Sequence, residues 1–298
     1  MSKEESLSNS LNCCPEVIAF FDEDTNTFSY VVRDPASTAC AVVDSVMEID
    51  YAAGRLSCEG ADKIIDYIRR HKLDLQWLIE THVHADHLSA APYIQQQLGG
   101  QIGIGEHIVS VQEVFGKIFN AGTEFQRDGS QFDHLFAEGD RYMVGQMECL
   151  ALHTPGHTPA CMTHVMGDAA FVGDTLFMPD GGTARADFPG GDARTLYRSI
   201  QRVLSLPEQM RLFMCHDYMP NGRPVEYETT VLAEKHSNIH VGGGVSEDDF
   251  VAMREARDAT LGMPRLILPS LQVNMRAGHL PPEEDNGTVY LKLPLNIL

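Results

Sequence analysis

A layered α/β sandwich is the fold class this sequence predicts, and three observations carry it. Short β-branched or aromatic runs alternate with stretches of helical spacing. The alternation falls into two blocks, one before about residue 140 and one after it, so that two β-rich halves are each covered by helices. Four of the apolar runs are followed within five residues by a candidate His or Asp ligand, and in open α/β folds ligands gather at strand ends.

Taken in order, residues 1–12 read as a disordered N-terminus, and 13–298 as one domain with an extended C-terminal tail. Val17 to Phe21, Phe28 to Arg33 and Ala39 to Asp44 are predicted strands, punctuated by Asp24-Thr25-Asn26 and Asp34-Pro35. Asp44 and Asp50 close this section and read as solvated turn residues. Ile64, Ile65 and Ile68 place a helix over Cys58 to His71. Leu75 to Ile79 is a buried strand, and Leu88 to Leu98 a helix stopped by Gly99-Gly100. A strand over Gln101 to Gly105 and a helix over Ile108 to Phe119 lead into the polar stretch Asn120 to Asp133, a surface loop or lid. Met147 to Leu152, Cys161 to Val165 and Ala170 to Gly173 are three further strands, and Leu176 to Gly191 is Gly-rich and irregular. A helix over Ala193 to Leu206, a strand over Leu212 to Cys215, and helices over Val231 to His236 and Glu247 to Leu261 follow. From Met263 the chain is Pro-rich and expected to pack as extended tail.

Composition narrows the function classes. With 42 acidic against 22 basic residues the formal charge is −20, which disfavours nucleic acid and anionic membrane surfaces, because both need basic patches. An anionic substrate would need a local Arg, Lys or metal. No apolar run approaches the ~20 residues of a membrane span. Met1 to Ser10 lack a basic segment followed by an apolar core, so no signal peptide is expected. The seven cysteines are odd in number and include no C-x-x-C pair; they read as mostly reduced thiols of a cytoplasmic protein.

The chemistry is concentrated in Thr81-His82-Val83-His84-Ala85-Asp86-His87, directly after an apolar strand. Neutral imidazole and carboxylate are ligands for first-row transition metals. Three later strand ends repeat the theme: His157 on a Pro-Gly turn, Asp174 after Gly173, and His216 after Phe213-Met214-Cys215. The candidate ligands are therefore His82, His84, Asp86, His87, His157, Asp174 and His216. His153, also at a strand end, reads as structural.

These motifs, in this order, resemble the metallo-β-lactamase superfamily. The resemblance implies an αββα four-layer sandwich, with His82, His84 and His157 in one metal pocket, Asp86, His87 and His216 in a second, and Asp174 between them. A narrower resemblance, over roughly residues 15 to 280, is to the persulfide dioxygenases. It rests on His153-Thr-Pro-Gly-His-Thr-Pro-Ala-Cys161, Gly182-Thr-Ala-Arg-Ala-Asp-Phe188 and Val273-Asn-Met-Arg-Ala-Gly278. That family implies one Fe2+ per chain on His82, His157 and Asp174, with His84, Asp86, His87 and His216 orienting ligands and bound water around it. It implies oxidation of glutathione persulfide by O2 to sulfite and glutathione, and leaves a homodimer open. Thr183 and Ala277 stand where the family often has Cys, which argues against thiol chemistry there.

Arg185, in the Gly-rich loop beyond Asp174, suits a substrate carboxylate; the same guanidinium could instead pair with Asp187 or Asp192. Tyr197 and Arg276 are further substrate-side candidates. Two other readings stay open. All seven ligand types would also suit a binuclear Zn2+ thioester hydrolase resembling glyoxalase II, in which a bridging hydroxide attacks the carbonyl. A non-catalytic metal-binding or sulfur-sensing protein, responding through Cys13 and Cys14, is the other.

Overall fold

A computed structural model describes residues 13–297, so the N-terminal stretch expected to be disordered lies outside the described residues. Strands β2 (Thr27–Arg33) and β3 (Ala39–Val43) are buried on both faces apart from Arg33 at the end of β2, which places them in the middle of a layered structure. Side chains alternate across a strand. Accordingly Val31 and Val42 join one hydrophobic layer, while Tyr30, Val32, Ala41 and Val43 join another.

The first six-stranded sheet runs β1 (Glu16–Asp22), β2, β3, β6 (Asp74–Ile79), β8 (Gln101–Gly105) and β9 (His134–Phe136). Its first three strands are antiparallel, and pairing is parallel from β3 to β9. The second has the order β10 (Arg141–Val144), β11 (Met147–His153), β12 (Met162–Met166), β13 (Ala169–Phe171), β14 (Arg211–Phe213) and β15 (Glu228–Thr230). Only β13 and β14 are parallel within it. Tyr30, Val32 and Ala41 meet Met147, Ala151, Phe171 and Phe213 between the sheets.

Helices cover both outer faces. On the first sheet lie α1 (Glu59–His71), α2 (Ala91–Leu98), α3 (Ile108–Ile118) and α7 (Ile267–Asn274), through Ile64, Ile68, Ile94, Val111, Phe115 and Leu271. On the second lie α4 (Ala193–Leu204), α5 (Val231–Ser237) and α6 (Glu247–Asp258), through Leu196, Ile200, Val231 and Phe250. The architecture is the αββα sandwich expected from the sequence. Among the described residues no helix is long and apolar enough to cross a membrane.

Several elements differ from expectation for local reasons. Leu88 does not begin a helix: Leu88–Ser89 is a strand, β7, paired with Val46 and Met47 of β4 (Val46–Asp50). Helix α2 starts only at Ala91, where Pro92 suits the first turn because its missing N–H has no helical partner there. Strands β4, β5 (Arg55–Ser57), β9, β10 and β15 were not foreseen; at three to five residues they are too short to show a period. The tail is not wholly extended. Helix α7 is buried nearly all round, so its sequence carries no amphipathic stripe to announce it. The stretch from Asn120 to Asp133 is irregular, but Phe125 and Phe132 anchor it in the core below α3.

Candidate metal centre

The two sheets bring their ligand-bearing loops to one edge of the sandwich. His82, His84, Asp86 and His87 follow β6, His157 lies between β11 and β12, Asp174 follows β13, and His216 follows β14. Local sequence fixes each loop. Gly156 has φ +136°, and a Cβ there would stand 2.3 Å from the backbone of Leu196, so only glycine lets α4 close on the His157 turn. Gly173 has φ +51°, and a Cβ there would stand 2.8 Å from Thr81 Oγ1, so glycine also lets the Asp174 turn approach the His-rich loop.

His82, His157 and Asp174 converge, with their ligand atoms all within 4.8 Å of one another. His157 Nε2 lies 3.5 Å from Asp174 Oδ2 and His82 Nε2 lies 3.9 Å from it. The other four candidates adjoin them. His216 Nε2 lies 3.3 Å from Asp174 Oδ1 and 3.4 Å from Asp86 Oδ2, and His87 Nδ1 is 3.5 Å from Asp86 Oδ2. All five imidazoles are buried.

Hydrogen bonds set which nitrogen of each ring faces inward. Thr81 Oγ1 donates to Asp44 Oδ2 at 2.8 Å, so it accepts from His82 Nδ1 at 3.0 Å and leaves the lone pair on Nε2. His157 Nδ1 donates to the Arg185 carbonyl at 2.8 Å, with the same result. His216 Nδ1 donates to Asn26 O at 3.2 Å. His84 is reversed: its Nε2 donates to Asp44 Oδ1 at 2.9 Å, and Nδ1 points inward. Burial first, then neighbouring imidazoles, hold His82 and His84 well below the ordinary imidazole pKa, so both are neutral. Burial would raise the Asp86 carboxyl, but His216 and His87 outweigh it and hold it well below its usual range. Burial would likewise lower His216, yet Asp86 and Asp174 raise it.

The donor set fits a metal. His82 Nε2, His84 Nδ1, His87 Nε2, His216 Nε2 and Asp174 Oδ1 are buried without a hydrogen-bond partner among the described residues. Leaving one such atom unpaired costs about 1–3 kcal/mol, and bound cations would satisfy them in the groups they form, His82 with His157 and Asp174, and His84 with Asp86 and His87.

Two residues that sequence reasoning misread or passed over hold this loop. Asp44 is not a solvated turn residue: it is 3% exposed, has φ +51°, and accepts from Thr81 N, Thr81 Oγ1 and His84 Nε2. Its neighbours in sequence gave no sign, because its partners lie 37 and 40 positions away. Asn274, at the end of α7, donates to the carbonyls of His84 and His87 at 2.9 and 2.8 Å and accepts from Ser89 N at 2.8 Å. The C-terminal Asn-Met-Arg motif was visible; this role for its first residue was not.

A cavity of about 420 Å³ opens over the centre, lined by Asp86, His157 and Asp174 at the metal end and by Phe177, Phe188 and Leu261 among its apolar walls. Arg185 lines it too, but its guanidinium is engaged. It makes paired bonds to Asp187 at 2.6 and 2.7 Å and donates to Gly262 O at 2.7 Å, which is the paired arrangement left open above. Two substrate-side candidates lie away from the lining of this cavity. Tyr197 donates its hydroxyl to Val245 O and packs against Phe250, outside the cavity lining. Arg276 stacks on Phe125 beside Glu124, in a separate hollow against the tail. His153 is structural, bonded to Pro159 O and stacked on His107.

Fold and site together define a metal-binding αββα protein whose candidate ligands come from four strand ends. The chain belongs to the metallo-beta-lactamase superfamily, whose family model matches residues 22–216. A probable metallo-hydrolase of Burkholderia pseudomallei is 58% identical over 95% of this chain and 99% of its own length. Glyoxylase B2 of Dictyostelium discoideum is 45% identical over 95% of this chain and 98% of its own. The narrower resemblance drawn from the motifs is more distant: the mitochondrial persulfide dioxygenase ETHE1 of Mus musculus is 28% identical over 87% of each chain. The crystal structure of ETHE1 from Myxococcus xanthus superposes with a TM-score of 0.70 at 27% identity, covering 89% of this chain and 100% of that one.

Proposed function

We propose that this protein is a persulfide dioxygenase, oxidising glutathione persulfide to sulfite at a single ferrous iron held by His82, His157 and Asp174. The observation that carries the reading is the convergence of two imidazoles and one carboxylate beside a cavity that His157 and Asp174 also line. Two His and one carboxylate on one face are the ligand set of non-haem ferrous oxygenases. Bound there, iron would supply open coordination positions and the redox chemistry that joins dioxygen to sulfur. The balanced reaction consumes one persulfide, one O2 and one water and yields the thiol, sulfite and two protons. The S–S bond breaks, the terminal sulfur is oxidised and O2 is reduced.

The chain's own contribution is positioning and exclusion of water. Thr81 and the Arg185 carbonyl fix the His82 and His157 rings in the ligating tautomer. Phe188 meets the His157 ring edge-on at 5.3 Å, and Phe177 lies beside Tyr218, giving the sulfur end apolar walls. No side-chain nucleophile is needed. The seven cysteines are free thiols, which supports a reducing, cytoplasmic setting.

A second reading is a binuclear zinc thioester hydrolase. It is favoured by the inward nitrogens of His84, His87 and His216, which with Asp86 and the far oxygen of Asp174 make a second donor set. The name of the Dictyostelium relative also supports it. Metal analysis of the purified protein separates the two: near one iron per chain is expected, and two zincs per chain would favour the hydrolase.

A further inference from the structure

The largest fully buried side chain among the described residues is a charged one, Arg254 of α6, 1% exposed. It is paired with Asp258, also buried, one turn further along the same helix. Asp258 Oδ1 accepts from Arg254 Nε at 2.8 Å and from Nη2 at 2.6 Å. Burying such a pair is costly and seldom adds net stability. Its remaining bonds show what it holds. Arg254 Nη1 donates to Thr183 O at 2.9 Å, and Asp258 Oδ2 accepts from Ala186 N at 2.8 Å. Both bonds go to one loop.

The Ala186 N–H shares a peptide unit with the Arg185 carbonyl. That peptide is trans, so the two groups point in opposite directions. Asp258 holds the N–H side, and His157 Nδ1 donates to the carbonyl side at 2.8 Å. Carboxylate, peptide and imidazole thus form one line of hydrogen bonds that ends on the ring nitrogen opposite His157 Nε2. The Arg185 carbonyl is the one hydrogen-bond partner of His157 Nδ1 among the described residues. Turning the peptide plane would take that partner away and free the ring to carry its proton on Nε2 instead. The loop is tied to the body elsewhere as well. Asn238 Nδ2 donates to Gly182 O at 3.0 Å, Thr183 N donates to His240 Nδ1 at 3.0 Å, and the Arg185 guanidinium holds Asp187 and Gly262 O. Without the ion pair the loop stays attached, but the tilt of the Arg185–Ala186 peptide is no longer set.

We infer that Asp258, held in place by Arg254, is a positioning residue for His157: through the Arg185–Ala186 peptide it keeps the proton on Nδ1 and leaves Nε2 free for the metal. This rests on the reading of His157 as a metal ligand, which the dioxygenase and hydrolase readings share. A carboxylate bonded directly to a metal-ligating imidazole does the same work; here one peptide stands between them.

The test compares two variants by chelator competition for zinc, by urea unfolding, and by the NMR signal of the His157 Nδ1 proton in the zinc-loaded protein. The Arg254→Met, Asp258→Leu double variant removes both charges at similar volume, so no charge is left buried without a partner. Zinc should bind it about 10–100-fold more weakly than wild type, and the Nδ1 proton should be lost to solvent exchange. Asp258→Asn leaves Arg254 buried without its counter-charge, so it should unfold at a lower urea concentration than the double variant. Its amide oxygen can still accept from Ala186 N, so zinc affinity should stay within about threefold of wild type and the Nδ1 proton should remain. A pair that only stabilised the fold would give the opposite order, with the less stable variant the weaker zinc binder, and that order overturns the inference. Loss of more than about tenfold in Asp258→Asn overturns it whether or not the double variant folds. Wild-type zinc affinity in the double variant, with weak binding by His157→Ala, overturns it and leaves His157 a ligand. Wild-type affinity in His157→Ala removes the ligand reading and the inference together.

Discussion

His82 and His157 present the same nitrogen to the centre through different partners, one a threonine hydroxyl and the other a backbone carbonyl. Replacing His157 or Asp174 by Ala is expected to strip the metal, measured as metal per chain after dialysis, because each removes one of three converging donors. Asn274→Ala tests the clamp on the ligand loop. It leaves the carbonyls of His84 and His87 and the amide of Ser89 without their partner. The expected loss is about 2–4 kcal/mol of unfolding free energy together with weaker metal retention; unchanged retention would remove the clamp role. At this scale the candidate cluster was legible because His and Asp at strand ends are conspicuous. Asp44 and Asn274 were not, since their hydrogen-bond partners are distant in sequence. That Tyr197 and Arg276 stand outside the cavity lining was hidden for the converse reason: nothing local shows that Val245 and Phe125 stand against them.

Long elements with a clear period were read well, as in α1, whose buried Ala61, Ile64, Ile65 and Ile68 form one stripe. Short strands and the buried helix α7 escaped because neither carries a pattern longer than a few residues. Two predictions belong to elements. Gly156→Ala would drive a methyl into the first turns of α4, so a stability loss of more than about 3 kcal/mol is expected in urea unfolding. A loss under 1 kcal/mol would show that α4 can give way. The second concerns His164 on β12, buried between the sheets with its Nδ1 3.0 Å from the Tyr142 hydroxyl. Burial pushes its pKa down from 6.5 to about 4. As pH falls through 6.5, the unfolded chain takes up a proton that the folded one refuses, and stability falls until about pH 4, where both are protonated. Between pH 7 and 5 this contributes roughly 2 kcal/mol of destabilisation. His164→Gln should flatten the pH dependence by that amount, and parallel curves for the two proteins would contradict it.

On the scale of the whole molecule, two sheets packed face to face bring their histidine- and aspartate-bearing loops to one edge of the sandwich. The layered class was legible from the two blocks of alternating runs. Strand order was not, because β3–β6 and β13–β14 pair across intervening helices that spacing cannot order. The measurement that tests the central claim most directly is oxygen consumption by anaerobically prepared, iron-loaded protein given glutathione persulfide. Uptake of one O2 per sulfite formed is the predicted result. No uptake, with rapid cleavage of S-lactoylglutathione by the zinc-loaded protein, would contradict it.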